Sequence, residues 1–252
     1  MIEVFVLSLI QGVTEFLPIS SSSHLILISE FLDFENQSLS IDVSLHIGSF
    51  MAVVVYFHKD IKNFFNNKTL FLKIFVSSIP VMIVGFFLVE TGMIEKIRNL
   101  ETIAWSTIIF AILLYISDKF KLKNNINENF TLKSAIFIGL FQILSLIPGV
   151  SRSGIAITAA RFLNYKRVDA AKISFLISIP ILGAVSFFGI KNLIFEENVH
   201  FTILNIISIF FSFIFSLITI KFFLDFIKIF NLNIFVYYRV FLGLLLILLT
   251  YL

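Results

Sequence analysis

Six apolar stretches, each close to the length a helix needs to cross a bilayer, constrain this chain more than any other feature. They run near residues 43–57, 70–90, 102–117, 173–190, 201–220 and 234–252, the first being the shortest. About 20 consecutive apolar residues span a hydrocarbon core of about 30 Å. The balance of the whole chain agrees. Of 252 residues, 58% are hydrophobic and 14% charged, with a mean hydropathy of +1.01, whereas a soluble domain carries about 45–50% apolar and about 25% charged residues. Too few charges remain to solvate a surface of this size, which excludes an ordinary cytosolic protein, a disordered chain and a nucleic-acid binder. The reading is an all-α polytopic membrane protein, with residues 1–252 forming one integral membrane domain. The N-terminus, MIEVFVLSLIQGVTEF, has no basic leader or small-residue cleavage site and is expected to stay in the mature protein. The chain contains no cysteine, so neither a disulfide framework nor a thiolate site is available. The 33 phenylalanines read as coding bias rather than an aromatic site.

Two further segments, 1–32 and 134–160, are apolar for about a helix and a half, but each is cut by proline beside serine and glycine: PISSSSH at 18–24 and PGVSRSG at 148–154. Proline removes a backbone donor and disfavours helical geometry in the residue before it. Freed backbone at membrane depth is tolerated only where it lines a cavity or is buried in protein. Each segment is therefore expected to form a re-entrant hairpin. Charge counting orients them. Loops at 58–73, 118–133, 161–172 and 221–228 hold fourteen of the 19 Lys and Arg; the opposite loops hold Lys96, Arg98 and Lys191. This positive-inside asymmetry requires 134–160 to return to the side it left. It puts 33–42, with Asp33, Glu35 and Asp42, outside, and His24 with its serines on the outward-opening hairpin. The similarity of KIFVSSIPVMIVGFF (73–87) to KISFLISIPILGAVSFF (172–188), and the looser echo of the Q…P…S pattern of 11–21 in 142–151 at a different offset, suggest an inverted repeat, a pattern that places binding sites at broken helices near the midplane.

The residues with chemistry cluster at the two cuts. Gln11 and Glu15, four apart, share a helix face. A carboxylate within a membrane segment is a functional candidate by default, the alternative being a structural ion pair. Ser20, Ser21, Ser22 and Ser23 offer hydroxyls at the head of the next helix, and His24 follows at once. At the second cut Gly149 and Gly154 permit close backbone approach. Ser151 and Ser153 are placed to cap a helix, and Arg152 adds a guanidinium fork beside the helix amides, a combination suited to phosphate; as an alternative, Arg152 is only a counter-ion for Glu15. One carboxylate, one imidazole, several hydroxyls and one arginine are the parts needed for attack on phosphorus. His46, His58 and His200 read as structural or solvated.

LIQGVTEFLPISSSSH, IGSFMAVVVYF, PGVSRSG and the late Tyr238–Arg239 pair resemble the undecaprenyl-diphosphate phosphatase family, also called bacitracin-resistance proteins, in the right order along essentially the whole chain. The resemblance implies a multi-pass bacterial inner-membrane enzyme that cleaves undecaprenyl diphosphate to undecaprenyl phosphate and phosphate, recycling the carrier for cell-wall synthesis. It implies two opposed re-entrant hairpins and stimulation by a divalent cation, Mg²⁺ or Ca²⁺. By motif, Gln11 and Glu15 match the (E/Q)xxxE element, Ser21 a nucleophile, and His24 an acid–base. Ser151, Arg152, Ser153 and Gly154 match the phosphate-binding element, with Ser20 and Ser22 in support. Glu15 is the residue that would face a metal, but Gln11 stands where many members have Glu, so the ion is expected on phosphate oxygens and water. A homodimer is left open. The rival class is a transporter or flippase of a phosphate-bearing lipid or anion, built on the same Arg152 and helix ends; the serine run beside His24 favours the enzyme, since a carrier needs no nucleophile.

Overall fold

A computed structural model describes residues 1–31, 38–195 and 202–251; Asp33, Glu35 and His200 lie outside them. The described residues form α1 (Ile2–Thr14), α2 (Ser21–Phe31), α3 (Leu39–Tyr56), α4 (His58–Asn66), α5 (Lys68–Glu90), α6 (Met93–Lys96), α7 (Leu100–Asp118), α8 (Ile126–Asn129), α9 (Leu132–Gln142, continued by a 3₁₀ turn at Ile143–Leu146), α10 (Arg152–Phe162), α11 (Arg167–Phe195), α12 (Ile203–Ile229) and α13 (Asn233–Tyr251). Six of these, α3, α5, α7, α11, α12 and α13, are long and apolar enough to cross a membrane, and they fall on the six apolar runs. Among the described residues there is no strand.

Where the chain stops being helical, the sequence supplies the reason. Asn67, Asn99 and Thr131 each accept the backbone N–H three residues on and so start α5, α7 and α9. One expected boundary moves. The polar residues Lys221, Asp225 and Lys228 do not form a loop at 221–228 but ride on the last turns of α12. Twenty-seven helical residues reach about 40 Å, longer than the apolar core, so their heads stand beyond it, and Lys228 bonds Asp225 at 2.7 Å across one turn. The break comes instead after Ile229.

The two halves repeat at the offset given by the Q…P…S pattern of 11–21 and 142–151, not at the one given by the likeness of 73–87 to 172–188. α2 and α10 are both eleven residues long and begin 131 residues apart. Each follows a serine in the left-handed region, Ser20 (φ 76°) and Ser151 (φ 72°), also 131 apart. α1 packs along α12 as α9 packs along α5, each seam closing over a glycine: a Cβ on Gly12 would lie 2.5 Å from Phe215 Cβ, and one on Gly139 2.5 Å from Ser77 O. This equivalence pairs α3 with α11 and α5 with α12. The likeness of 73–87 to 172–188 links α5 to α11 instead and reflects similar helix composition, not equivalent positions.

Small residues also bring α3 against α12. Gly48 faces the Ile209 carbonyl, and Ser49 bonds both Ser212 and Ser216, while Asn205 donates to Ser44. Close backbone approach and interhelical polar contacts replace the hydrophobic drive that is missing between helices in lipid. At one end of the bundle, Asp118 collects Arg167 (2.8 and 3.1 Å), Arg161 (3.4 Å) and the Leu232 amide (3.2 Å). It thereby joins the ends of α7 and α10, the start of α11 and the α12–α13 turn. Asn124 and Tyr165 form a bridge at the same end, so the segment containing α9 and α10 leaves and returns there.

The glycine seams make a direct prediction. Gly12→Val and Gly139→Val should each cost about 1–3 kcal/mol through overpacking against a neighbouring backbone. The cost would appear as a lower thermal midpoint of the protein in detergent. A melting curve that coincides with the native one would show that these helices do not approach so closely.

Candidate active site

Both helix breaks converge on one buried polar cluster. α1 ends at Glu15, which keeps helical geometry (φ −65°, ψ −37°), so Gln11 and Glu15 share a face as their spacing predicts: Gln11 Nε2 donates to Glu15 Oε2 at 3.1 Å. Phe16, fully buried next to Glu15, packs edge-on against Phe175 at 5.4 Å and anchors the turn. Ser20, left-handed, then starts α2, and Ser21 Oγ donates to the same Glu15 Oε2 at 2.5 Å. The other carboxylate oxygen, Oε1, accepts Arg152 Nη2 at 2.9 Å across 137 residues of sequence. Glu15 is 6% exposed and Arg152 13%. A buried charge is tolerated when it is paired and hydrogen-bonded, and Glu15 has three donors and a counter-ion.

Arg152 opens α10 and spends only one nitrogen on Glu15. Its Nε and Nη1 are buried and find no protein partner. The guanidinium edge is thus left available beside a helix N-terminus, where dipole and amides favour an anion. Arg152 is therefore the counter-ion of Glu15 and also retains unspent donors.

The other residues expected at the phosphate element have different partners. Ser151 Oγ caps α10 by accepting the Gly154 amide at 3.1 Å, and Ser153 Oγ donates to the Leu17 carbonyl at 2.8 Å, tying the second break to the first. Gly149, at φ +95°, sits where any side chain would strike Ser106 and the Ile103 carbonyl. Ser20 Oγ lies 2.8 Å from Ser23 Oγ. Ser22 falls within α2, and its side chain is outside the described ones.

His24 stands one turn further along α2, with both ring nitrogens engaged. Nδ1 lies 2.6 Å from the Ser20 carbonyl, which can only accept, and Nε2 lies 2.6 Å from the Tyr238 hydroxyl. The neutral ring therefore donates through Nδ1 and presents its lone pair to Tyr238, not to Ser21.

Three residues of this neighbourhood escape the sequence reading of roles. Tyr238 is one. Its neighbour Arg239 is fully buried and donates to the carbonyls of Pro18 (3.4 Å), Gly149 (2.9 Å) and Val150 (3.1 Å), one group tying both breaks. The third is His46, set aside as structural or solvated, whose Nδ1 lies 3.1 Å from Gln11 Nε2. The available signals were an arginine in an otherwise apolar terminal helix and a histidine inside an apolar run. His58, by contrast, bonds only the local Val55 carbonyl at 2.8 Å among the contacts described.

The donor set does not fit a metal held by the protein. No group of three His, Asp or Glu with metal-ligand geometry occurs among the described residues, and both oxygens of Glu15 already accept hydrogen bonds.

Comparison with known proteins agrees with the geometry. The family described as bacitracin resistance protein BacA matches residues 4–245. A protein of Pelagibacter ubique (strain HTCC1062) named undecaprenyl-diphosphatase is 46% identical over 251 residues, covering 99% of this chain and 98% of that protein. Proteins of the same name are 38% identical in Jannaschia sp. (strain CCS1), over 98% of this chain and 97% of that one, and 41% identical in Saccharophagus degradans, over 94% and 93%. With its six apolar helices, its two broken segments and this full-length match, the chain belongs to the bacitracin resistance protein BacA family.

Proposed function

We propose that this chain hydrolyses undecaprenyl diphosphate to undecaprenyl phosphate and phosphate at the Glu15–Ser21–Arg152 cluster. The observation that carries the reading is the hydrogen bond from Ser21 to a buried, arginine-paired carboxylate inside a membrane protein. That is an activated hydroxyl beside a cation. The full-length kinship with proteins named undecaprenyl-diphosphatase supplies the substrate. A carrier would need the arginine but not the polarised serine.

In this reading Ser21 Oγ attacks the terminal phosphorus and its proton passes to Glu15. The P–O bond to the inner phosphate breaks, and undecaprenyl phosphate leaves. Glu15 hands that proton to the departing phosphate oxygen; water then attacks the phosphoserine, giving a proton to Glu15, which returns it to Ser21 Oγ as the P–Oγ bond breaks and phosphate departs. The free Nε and Nη1 of Arg152 face the charge that develops on the phosphoryl oxygens. His24 is the acid–base of the site, but its Nε2 acts through or beside the Tyr238 hydroxyl, leaving Glu15 as the base for Ser21. A divalent cation, Mg²⁺ or Ca²⁺, would be held by the substrate and water rather than by a cage of side chains, and would supply neutralisation of the phosphate charge. One copy holds all of these residues, so this reading does not require a homodimer.

Both broken segments are proposed to be re-entrant, with the enzyme in the bacterial inner membrane and its site opening outward. The shared end of 124 and 165 and the fourteen-to-three split of basic residues support this arrangement. Two single cysteines test it in this cysteine-free chain. In intact spheroplasts, Ser38→Cys should react with a membrane-impermeant thiol reagent, whereas Lys121→Cys should react only after lysis. The reverse pattern would turn the site toward the cytoplasm.

Phosphate release from undecaprenyl diphosphate by the purified protein in detergent tests the activity itself. Arg152→Lys keeps the charge but loses the planar fork. Turnover should fall at least about 100-fold, the scale of losing an electrostatic stabiliser of about 2.7–4 kcal/mol. Near-native turnover in the folded variant would leave Arg152 as a counter-ion only.

A further inference from the structure

Gln11 has two amide hydrogens, and both have acceptors. Nε2 lies 3.1 Å from Glu15 Oε2 and 3.1 Å from His46 Nδ1. Turning the amide over would set its oxygen against a carboxylate oxygen, acceptor against acceptor, so Glu15 determines which way it faces. The second hydrogen then points at His46 Nδ1, which has to accept it. Accepting there requires the tautomer that carries the ring proton on Nε2. On the far side of the amide, Gln11 Oε1 is buried without a hydrogen-bond partner. The described hydrogen bonds that orient this side chain are therefore the ones to Glu15 and His46.

His46 is a firm support for such a contact. It lies partly buried on α3, two residues before Gly48 and three before Ser49, where α3 is locked against α12 through the Ile209 carbonyl, Ser212 and Ser216. Gln11, by contrast, sits one turn before the break that ends α1. A rigid spanning helix thus steadies a side chain at the edge of a broken one.

We infer that His46 is a positioning residue of the reaction: through Gln11 it holds the Glu15 carboxylate so that Oε2 stays on the Ser21 hydroxyl. The inference rests on the phosphatase reading of Glu15 and Ser21. It also accounts for glutamine at position 11. A glutamate there would put a second carboxylate against Glu15 and would need His46 protonated, whereas glutamine donates to both neighbours.

The experiment measures phosphate release from undecaprenyl diphosphate in detergent for the native chain, His46→Ala, His46→Asn, Gln11→Ala and the His46→Ala/Gln11→Ala double variant. His46→Ala should lower kcat about tenfold with KM within about twofold, because the lost interaction matters only when Ser21 is deprotonated. His46→Asn, whose Oδ1 can accept where Nδ1 did, should recover to within about threefold of native. The double variant should be no worse than about twofold below the poorer single one, since both act through one contact. Should alanine leave a cavity that unfolds the protein, His46→Leu fills the space without supplying an acceptor and takes its place. The inference is overturned by kcat within twofold of native in the acceptor-less variant, by a loss confined to KM, by an Asn variant no better than Ala, or by fully multiplicative losses in the double variant. A native chain that releases no phosphate would overturn the functional reading instead.

Discussion

Two helices broken inside an apolar bundle leave carbonyls that cannot reach water, and the fold depends on how those carbonyls are satisfied. Arg239 meets much of that need alone. Fully buried, with no carboxylate among its described hydrogen-bond and ion-pair partners, it donates to Pro18 in the first break and to Gly149 and Val150 in the second. A buried carbonyl without a donor costs about 1–3 kcal/mol, and an arginine fork can serve several at once from one position. Ser153, reaching the Leu17 carbonyl, and Ser106, bonded to the Pro148 carbonyl, complete the tie. The consequence is geometric: the two breaks, far apart in sequence, are held against each other, and whatever projects from them shares one site.

Glu15 and Arg152 project from them. Each would be costly alone in this environment, and each makes the other tolerable. The pair is not saturated, however. Glu15 is surrounded by donors, while Arg152 keeps two nitrogens unspent. A second buried ion pair in this molecule is engaged differently. Asp118 with Arg161 and Arg167 is also buried and paired, but there the guanidinium of Arg161 is turned onto the carbonyls of Lys121, Tyr165, Asp118 and Phe120. The first pair lies where two helices begin and end, and the second fastens loop backbone at one end of the bundle.

The repeat explains why these features come in twos. Left-handed serines 131 residues apart, equal short helices and matching glycine seams give each half the same broken-helix frame. The side chains carried on the frame differ. Where the first half has Ser21 and His24, the second has Arg152 and Ile155. Similar backbones therefore deliver different chemistry to the Glu15 carboxylate, a hydroxyl from one side and a guanidinium from the other, while the imidazole of His24 turns to Tyr238.

The sequence by itself determined the six apolar helices, the two breaks, and the membership of Gln11, Glu15, Ser21 and Arg152 in the polar set. Hydropathy, proline and spacing act over a few residues, and the local physics is the same wherever the segment sits. It misjudged the end of α12, because Lys and Asp at the end of a long helix look like a loop until the helix length is known. It offered two offsets for the halves without choosing between them, because apolar helices resemble one another in composition. It was silent on Arg239 as a tie between breaks, on Tyr238 against His24, on Ser153 as a structural donor and on His46 against Gln11. Each of those roles is a choice of partner across 35 to 221 residues. Only the packed structure decided them, since a buried donor takes whichever acceptor the tertiary fold brings within about 3 Å.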